Sequence, residues 1–326
     1  MAVSNQPDNN IDAPTHPTDA TAKEPLLGSV NVRTGGRVGG SRSIELGEPQ
    51  TIVLPQGRIQ YRERGQGPVL LFVHGLYVNA DLWRKVVPQL CARYRCIVVD
   101  WPLGAHAYPM AATADLTPTG IADLIADVIT TLGLSDVTVI ANDTGIAYTQ
   151  VFVANHPDKL ARLVLTPGDV IWNFLPVPIK WMRPLSQLPG GINVIARFWN
   201  SGLGRSLIMT PLTKTRPAEA VLDSWFRPAT QDQELRRDLV KLLRAARPRA
   251  AITAARQLHR FTGPALIAWS ASGNVIFPRR HAHLLRKLLA DAQLDLIPRT
   301  RAFISEDQPE LLAEAIDQFV KTKPLS

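Results

Sequence analysis

The stretch V-T-V-I-A-N-D-T-G-I-A-Y-T-Q, Val137 to Gln150, decides how the chain is read. Val137 to Ala141 is a short apolar run, rich in β-branched residues, as a strand buried on both faces requires. Asn142-Asp143-Thr144-Gly145 turns the chain, and helix-compatible residues follow to about Asn155. A strand, a sharp turn and a helix lift the residue at the tip above the end of a sheet, provided its second neighbours on either side are small. Ala141 and Gly145 are small, and Asp143 stands at the tip. A carboxylate there is either a helix N-cap or a nucleophile. As a nucleophile it needs a base and an orienting acid from elsewhere in the chain.

The same alternation recurs on both sides. T-I-V-L-P-Q-G-R-I-Q-Y-R, from Thr51, reads as a β-hairpin turning at Pro55-Gln56-Gly57. P-V-L-L-F-V-H-G (Pro68 to Gly75) and C-I-V-V-D (Cys96 to Asp100) are buried-strand runs, with a helix predicted between them from about Ala80 to Ala92. Thr117 is a natural N-cap, with Pro118 at the first position of a helix reaching Leu132. L-A-R-L-V-L, P-A-L-I-A-W and L-D-L-I-P are further strands, and Arg279 to Leu289 and Pro309 to Val320 further helices. Such alternation predicts an α/β fold built on a doubly wound, mostly parallel sheet. Between Gly168 and about His259 the pattern turns helical, rich in Trp and Arg and broken by prolines. Strands resume afterwards, so this segment reads as a helical cap inserted into one sheet. The expected organisation is a core of residues 48–167 and 262–326 with a cap at 168–261. Residues 1–47 are poor in large apolar side chains and read as a disordered tail.

Composition narrows the function classes. The chain has 326 residues, 45 % of them hydrophobic, enough for a sizeable core. No run is long and apolar enough to span a bilayer, and the N-terminus has no signal-peptide pattern, so a cytoplasmic protein is expected. Cys91 and Cys96 read as free buried thiols. The net charge of +8 is concentrated between Trp172 and Arg260. Arg236, Arg237, Lys241 and Arg244 fall on one helical face, read as a solvated face or as a contact for an anionic surface. No nucleic-acid signature accompanies the charge, so no nucleic-acid partner is expected. T-G-G-R-V-G-G-S-R-S (Thr34 to Ser43) lacks the preceding strand and the GK[ST] of a phosphate loop.

Taken in order, F-V-H-G, P-L-G-A-H (Pro102 to His106), A-N-D-T-G, R-L-V-L-T, Phe277-Pro278 and E-D-Q-P-E (Glu306 to Glu310) carry a family resemblance. The chain from Gln50 onward resembles the α/β-hydrolase fold with a helical cap. The branch is the one with Asp at the elbow, which includes haloalkane dehalogenases and epoxide hydrolases. It looks closer to a bacterial subgroup with the elbow G-N-D-T-G-G. The resemblance implies that Asp143 attacks a carbon bearing a leaving group and forms an alkyl ester, which a histidine-activated water then hydrolyses. It implies two amide donors for negative charge, the N–H groups of Leu76 and Thr144.

It also implies an acid in the pattern W-G-x-x-D and a histidine just before F-x-x-E-D-x-P. Those positions are Gly273 and Ala302 here, and neither has the chemistry. His106 is the candidate relocated acid/base, with a loop-ordering role as its alternative. Asp169 is the candidate relocated acid, with a cap-hinge role as its alternative. His74 is expected to support structure, and His281 and His283 to face solvent. Haloalkane dehalogenases carry Trp after the nucleophile where this chain has Thr144, and an amide where it has Leu76. Epoxide hydrolases show His-Gly-x-Pro where this chain has Tyr77, and cap tyrosines that it lacks. Trp101, Trp172 and Tyr77 are expected to line an apolar pocket, with no metal and no cofactor. Two readings stay open: a hydrolase of a small apolar substrate with degenerate base and acid positions, and an inactive hydrolase-fold protein binding a small hydrophobic ligand or a partner.

Overall fold

The computed structural model describes residues 36–170, 175 and 179–323. Eight strands form one sheet in the order β1-β2-β4-β3-β5-β6-β7-β8. They are β1 (Pro49–Leu54), β2 (Gly57–Arg64), β3 (Val69–Val73), β4 (Arg95–Val99), β5 (Thr138–Asp143), β6 (Arg162–Gly168), β7 (Pro264–Ser270) and β8 (Asp291–Ile297). β1 and β2 are the predicted hairpin, with Leu54 opposite Gly57. β2 meets β4 antiparallel, and every pairing from β4 through β3, β5, β6 and β7 to β8 is parallel. β3 and β5 are buried at every position; β3 reads as an unbroken apolar run, while β5 also carries Thr138 and ends in Asn142 and Asp143.

The core helices are α1 (Val87–Leu90), α2 (Pro118–Thr131) and α3 (Gly145–Asn155). Thr117 caps α2, its hydroxyl accepting from the Gly120 N–H. Between β6 and β7 the chain runs through α4 (Met182–Leu185), α5 (Gly191–Asn200), α6 (Gly202–Leu212), α7 (Glu219–Phe226), α8 (Pro228–Gln231), α9 (Gln233–Ala245) and α10 (Pro248–Ala255). Then come α11 (Arg279–Leu288), α12 (Ile304–Asp307) and α13 (Pro309–Thr322).

Four expectations are corrected. The helix predicted over Ala80 to Ala92 is a 3-10 turn, Ala80–Trp83, followed by the single turn α1. Asn79 caps the first piece by accepting from the Asp81 N–H, and Pro88, at the start of the second, cannot extend a preceding helix. Second, part of the expected tail is packed. The Ser41 N–H and hydroxyl donate to Asp100 Oδ2 at 2.9 and 3.1 Å, the N–H groups of Arg42 and Ser43 donate to Asp81, and Leu46 is buried. Composition missed this because the segment is held by its backbone amides rather than by apolar side chains. Third, the basic face of α9 is largely committed inward. Arg236 donates to the carbonyls of Ala229 and Thr230, Arg237 pairs with Asp238, and Lys241 Nζ donates to the carbonyls of Ala112 and Ala114. Fourth, His281 is buried rather than solvent-facing, and burial lowers its pKa to about 4.

Cys91 and Cys96 are free, the first half-buried and the second buried. Among the described residues no helix is long and apolar enough to cross a membrane.

Candidate active site

Asp143 closes β5 with φ +56°, in the left-handed region that non-glycine residues avoid. The strain is held by a backbone with no room to relax. A Cβ on Gly75 would lie 2.4 Å from Asp143 Oδ2, and one on Gly168 would lie 2.2 Å from the Asp143 carbonyl oxygen. Asp143 pairs with Gly168 across a bulge in the β5–β6 ladder, and the Asp169 N–H donates to its carbonyl at 3.1 Å. Asn142, facing the other way, locks the turn. Its Nδ2 donates to Thr166 Oγ1 and to the carbonyls of Pro167 and Ala302.

The carboxylate is only 7 % exposed, and burial raises its pKa to about 7, against the pull of the Thr144 N–H. It sits in the wall of a small cavity of about 40 Å³. The core contributes Leu76, Tyr77, Val78 and Thr144; the insertion contributes Ile179, Met182, Ile208, Met209, Leu212 and Phe226. With Ile276, Phe277 and Phe303, the lining among the described residues is apolar apart from Asp143, Thr144 and Tyr77.

One of the two expected amide donors is already taken. The Leu76 N–H donates to Thr144 Oγ1 at 2.6 Å, so the hydroxyl lies where an incoming oxygen would need the amide. The Thr144 N–H is directed at Asp143 itself.

The other predicted residues separate. Asp169 is fully buried; its Oδ2 accepts from the Leu175 N–H at 3.2 Å, and its Oδ1 has no partner among the described residues. Burial, then the charge of Asp143, holds its pKa well above the carboxylate range. His106 does not line the cavity. Its Nε2 lies 3.4 Å from Asp238 Oδ2 on α9, and it ties the β4 loop to the insertion. Trp101 does not line the cavity either. Its N–H donates to His74 Nε2 and its indole N–H to the Phe72 carbonyl. His74 therefore carries its proton on Nδ1, which donates to the Gly75 carbonyl, and burial lowers its pKa to about 3. It is a neutral strut, as expected. Tyr77 does line the cavity, with a buried hydroxyl that has no partner among the described residues. Trp172 lies outside the described residues. Gly273 sits in a loop at φ +70°, and Ala302 is fully buried beside Phe303.

Residues 68–309 match the alpha/beta hydrolase fold family. The chain belongs to that family. It is 26 % identical over 266 residues to haloalkane dehalogenase 2 of Mycobacterium tuberculosis, covering 80 % of this chain and 91 % of that one. It is 23 % identical over 283 residues to the 2-(acetamidomethylene)succinate hydrolase of Mesorhizobium japonicum, covering 81 % and 92 %. A solved haloalkane dehalogenase from Bradyrhizobium elkani superposes with a TM-score of 0.69 at 19 % identity, over 84 % of this chain and 98 % of that one.

Within this α/β-hydrolase frame, sequence reading missed most of the cavity. Met182, Met209 and Phe226 come from the insertion, where no periodicity separates a cavity face from a packing face. Phe303 carried a usable signal, since it directly follows the position where a histidine was sought.

Proposed function

We propose that the protein is a hydrolase of small apolar molecules that uses Asp143 as nucleophile. The observation that carries this reading is the placement of a buried carboxylate, on a strained turn, in the wall of an apolar cavity. Strain of this kind persists where the surrounding structure enforces it, commonly at functional sites. In the ionised form, a carboxylate oxygen attacks an electrophilic carbon, the C–O ester bond forms, and the leaving group departs with its electron pair. The apolar lining favours a substrate without charge and desolvates the nucleophile. The insertion acts as the cap.

The second step is the weak one. Hydrolysis of the ester needs a base, and the customary positions hold Gly273 and Ala302. Among the described residues no histidine lines the cavity, so His106 serves the loop rather than the chemistry. Asp169, electrostatically coupled to Asp143, is the candidate second carboxylate. The bond from Leu76 to Thr144 favours a second reading, capture or binding of a hydrophobic ligand without turnover, because an amide needed for ester hydrolysis is occupied.

Intact-mass spectrometry after incubation with alkyl halides, epoxides and activated esters tests both. An adduct that disappears in Asp143→Asn, with product released, supports the hydrolase. An adduct that persists supports capture. No adduct with any of them, but thermal stabilisation by the same compounds, leaves binding alone.

A further inference from the structure

The α5–α6 helical hairpin turns an apolar surface outward. Leu203 and Leu207, one helical turn apart on α6, are 66 % and 55 % exposed, and Val194 on α5 is 57 % exposed. Only Ser201 joins the two helices, and Gly204 packs close to the Phe198 carbonyl, so the hairpin is tight. Val194 precedes and Leu207 follows the link by nearly equal lengths of helix, which places them at one level. Leu188, just before α5, is 61 % exposed. Single exposed leucines are ordinary, but several on one small helical unit mark an interaction surface.

The charge of the same segment selects the partner. From Val170 to Ala218 the chain carries six cations and no Asp or Glu. Arg205 and Arg216 are paired with Glu219, and Arg205 also with Asp223. Lys180, Arg197 and Lys214 are exposed. Exposed leucines beside the cations Lys180, Arg197 and Lys214, in a segment with no acid of its own, match a lipid surface with anionic headgroups. Docking a second copy of this chain on the same face would bring like charges together. Within the hairpin, α6 also lines the cavity, through Ile208, Met209 and Leu212. Trp181 stands outside, Met182 inside; Leu207 stands outside, Ile208 inside.

We propose that the α5–α6 hairpin docks on an anionic bilayer surface, lying in the interface, and brings the cavity behind α6 close to molecules dissolved in the lipid. The docking stands apart from the reaction; only the idea that the substrate enters from lipid rests on the function proposed above.

The test is co-sedimentation of the full chain with phosphatidylcholine vesicles, with and without phosphatidylglycerol, at low and high salt. Binding is expected on the anionic vesicles, weakening with salt, and lower by about tenfold in a Leu203→Glu/Leu207→Glu variant. Both sites are exposed, and an unchanged melting temperature verifies the fold. Absence of binding to anionic vesicles, or equal binding by the variant, overturns the proposal. So does a wild-type dimer, in sedimentation velocity, that becomes a monomer in the variant, because the face would then join copies of this chain. A covalent adduct at Asp143 without vesicle binding overturns the docking and leaves the hydrolase reading intact; the converse overturns the reading alone.

Discussion

The Leu76 backbone N–H donates to the Thr144 hydroxyl at 2.6 Å, across 68 residues of sequence. The bond closes the gap between the loop after β3 and the elbow, and it occupies an amide that the proposed reaction needs. Hydrolysis of an ester on Asp143 places negative charge on the Asp143 oxygen, next to that amide. Thr144→Val removes the acceptor and leaves the N–H open to the developing charge. Loss of a preformed adduct, followed by intact mass, is expected to speed up by about tenfold or more. Stability is expected to fall by about 1–2 kcal/mol, because a buried N–H loses its partner. Unchanged adduct lifetime would separate the bond from the chemistry.

Asp143 contributes to stability with a definite sign. Its folded pKa of about 7 lies above the ordinary value of 3.8, so the folded state binds the proton more tightly than the unfolded state. Between about pH 4 and pH 7 the unfolded carboxyl ionises first, and stability falls as pH rises. Asp143→Asn escapes this loss. Chemical denaturation at pH 8 is expected to find the variant more stable, on the order of 4 kcal/mol at most, with the gap vanishing near pH 4.

The same protonation governs the proposed role of Asp143 as nucleophile. Only the ionised carboxylate attacks, so adduct formation is expected to rise with pH and level off above a midpoint near 7. A flat profile from pH 5 to 9, measured with an electrophile that does not itself titrate, would contradict the buried placement.

His106 and Asp238 form a tie between the β4 loop and the insertion. Asp238 is fully buried and accepts from the Met110 N–H and from Arg237. Asp238→Ala is expected to cost about 3 kcal/mol by leaving those donors unpaired, read from the urea midpoint. His106→Gln is expected to leave the rate of adduct formation within about twofold, since His106 does not line the cavity. A loss of a hundredfold would restore His106 as a catalytic base.

The segment before β1 is predicted to matter for stability. A chain beginning at residue 48 loses the Ser41 contacts to Asp100 and those of Arg42 and Ser43 to Asp81, and exposes the pocket of Leu46. Two buried carboxylates are left short of donors, and a melting temperature lower by several degrees is expected.

The sequence alone determined the sheet and the elbow. Strands such as β3 and β5 are buried on both faces and must be largely apolar, and the turn at Asp143 tolerates only small second neighbours, so both leave local traces. Thr117 was legible for the same reason, since a cap bonds its own helix. The tertiary structure decided what stands around the carboxylate. Thr144 meets Leu76, His106 meets Asp238, and Met182, Met209 and Phe226 meet Asp143 only after distant segments pack. Such contacts join residues far apart in the chain and impose no local period, so no motif records them.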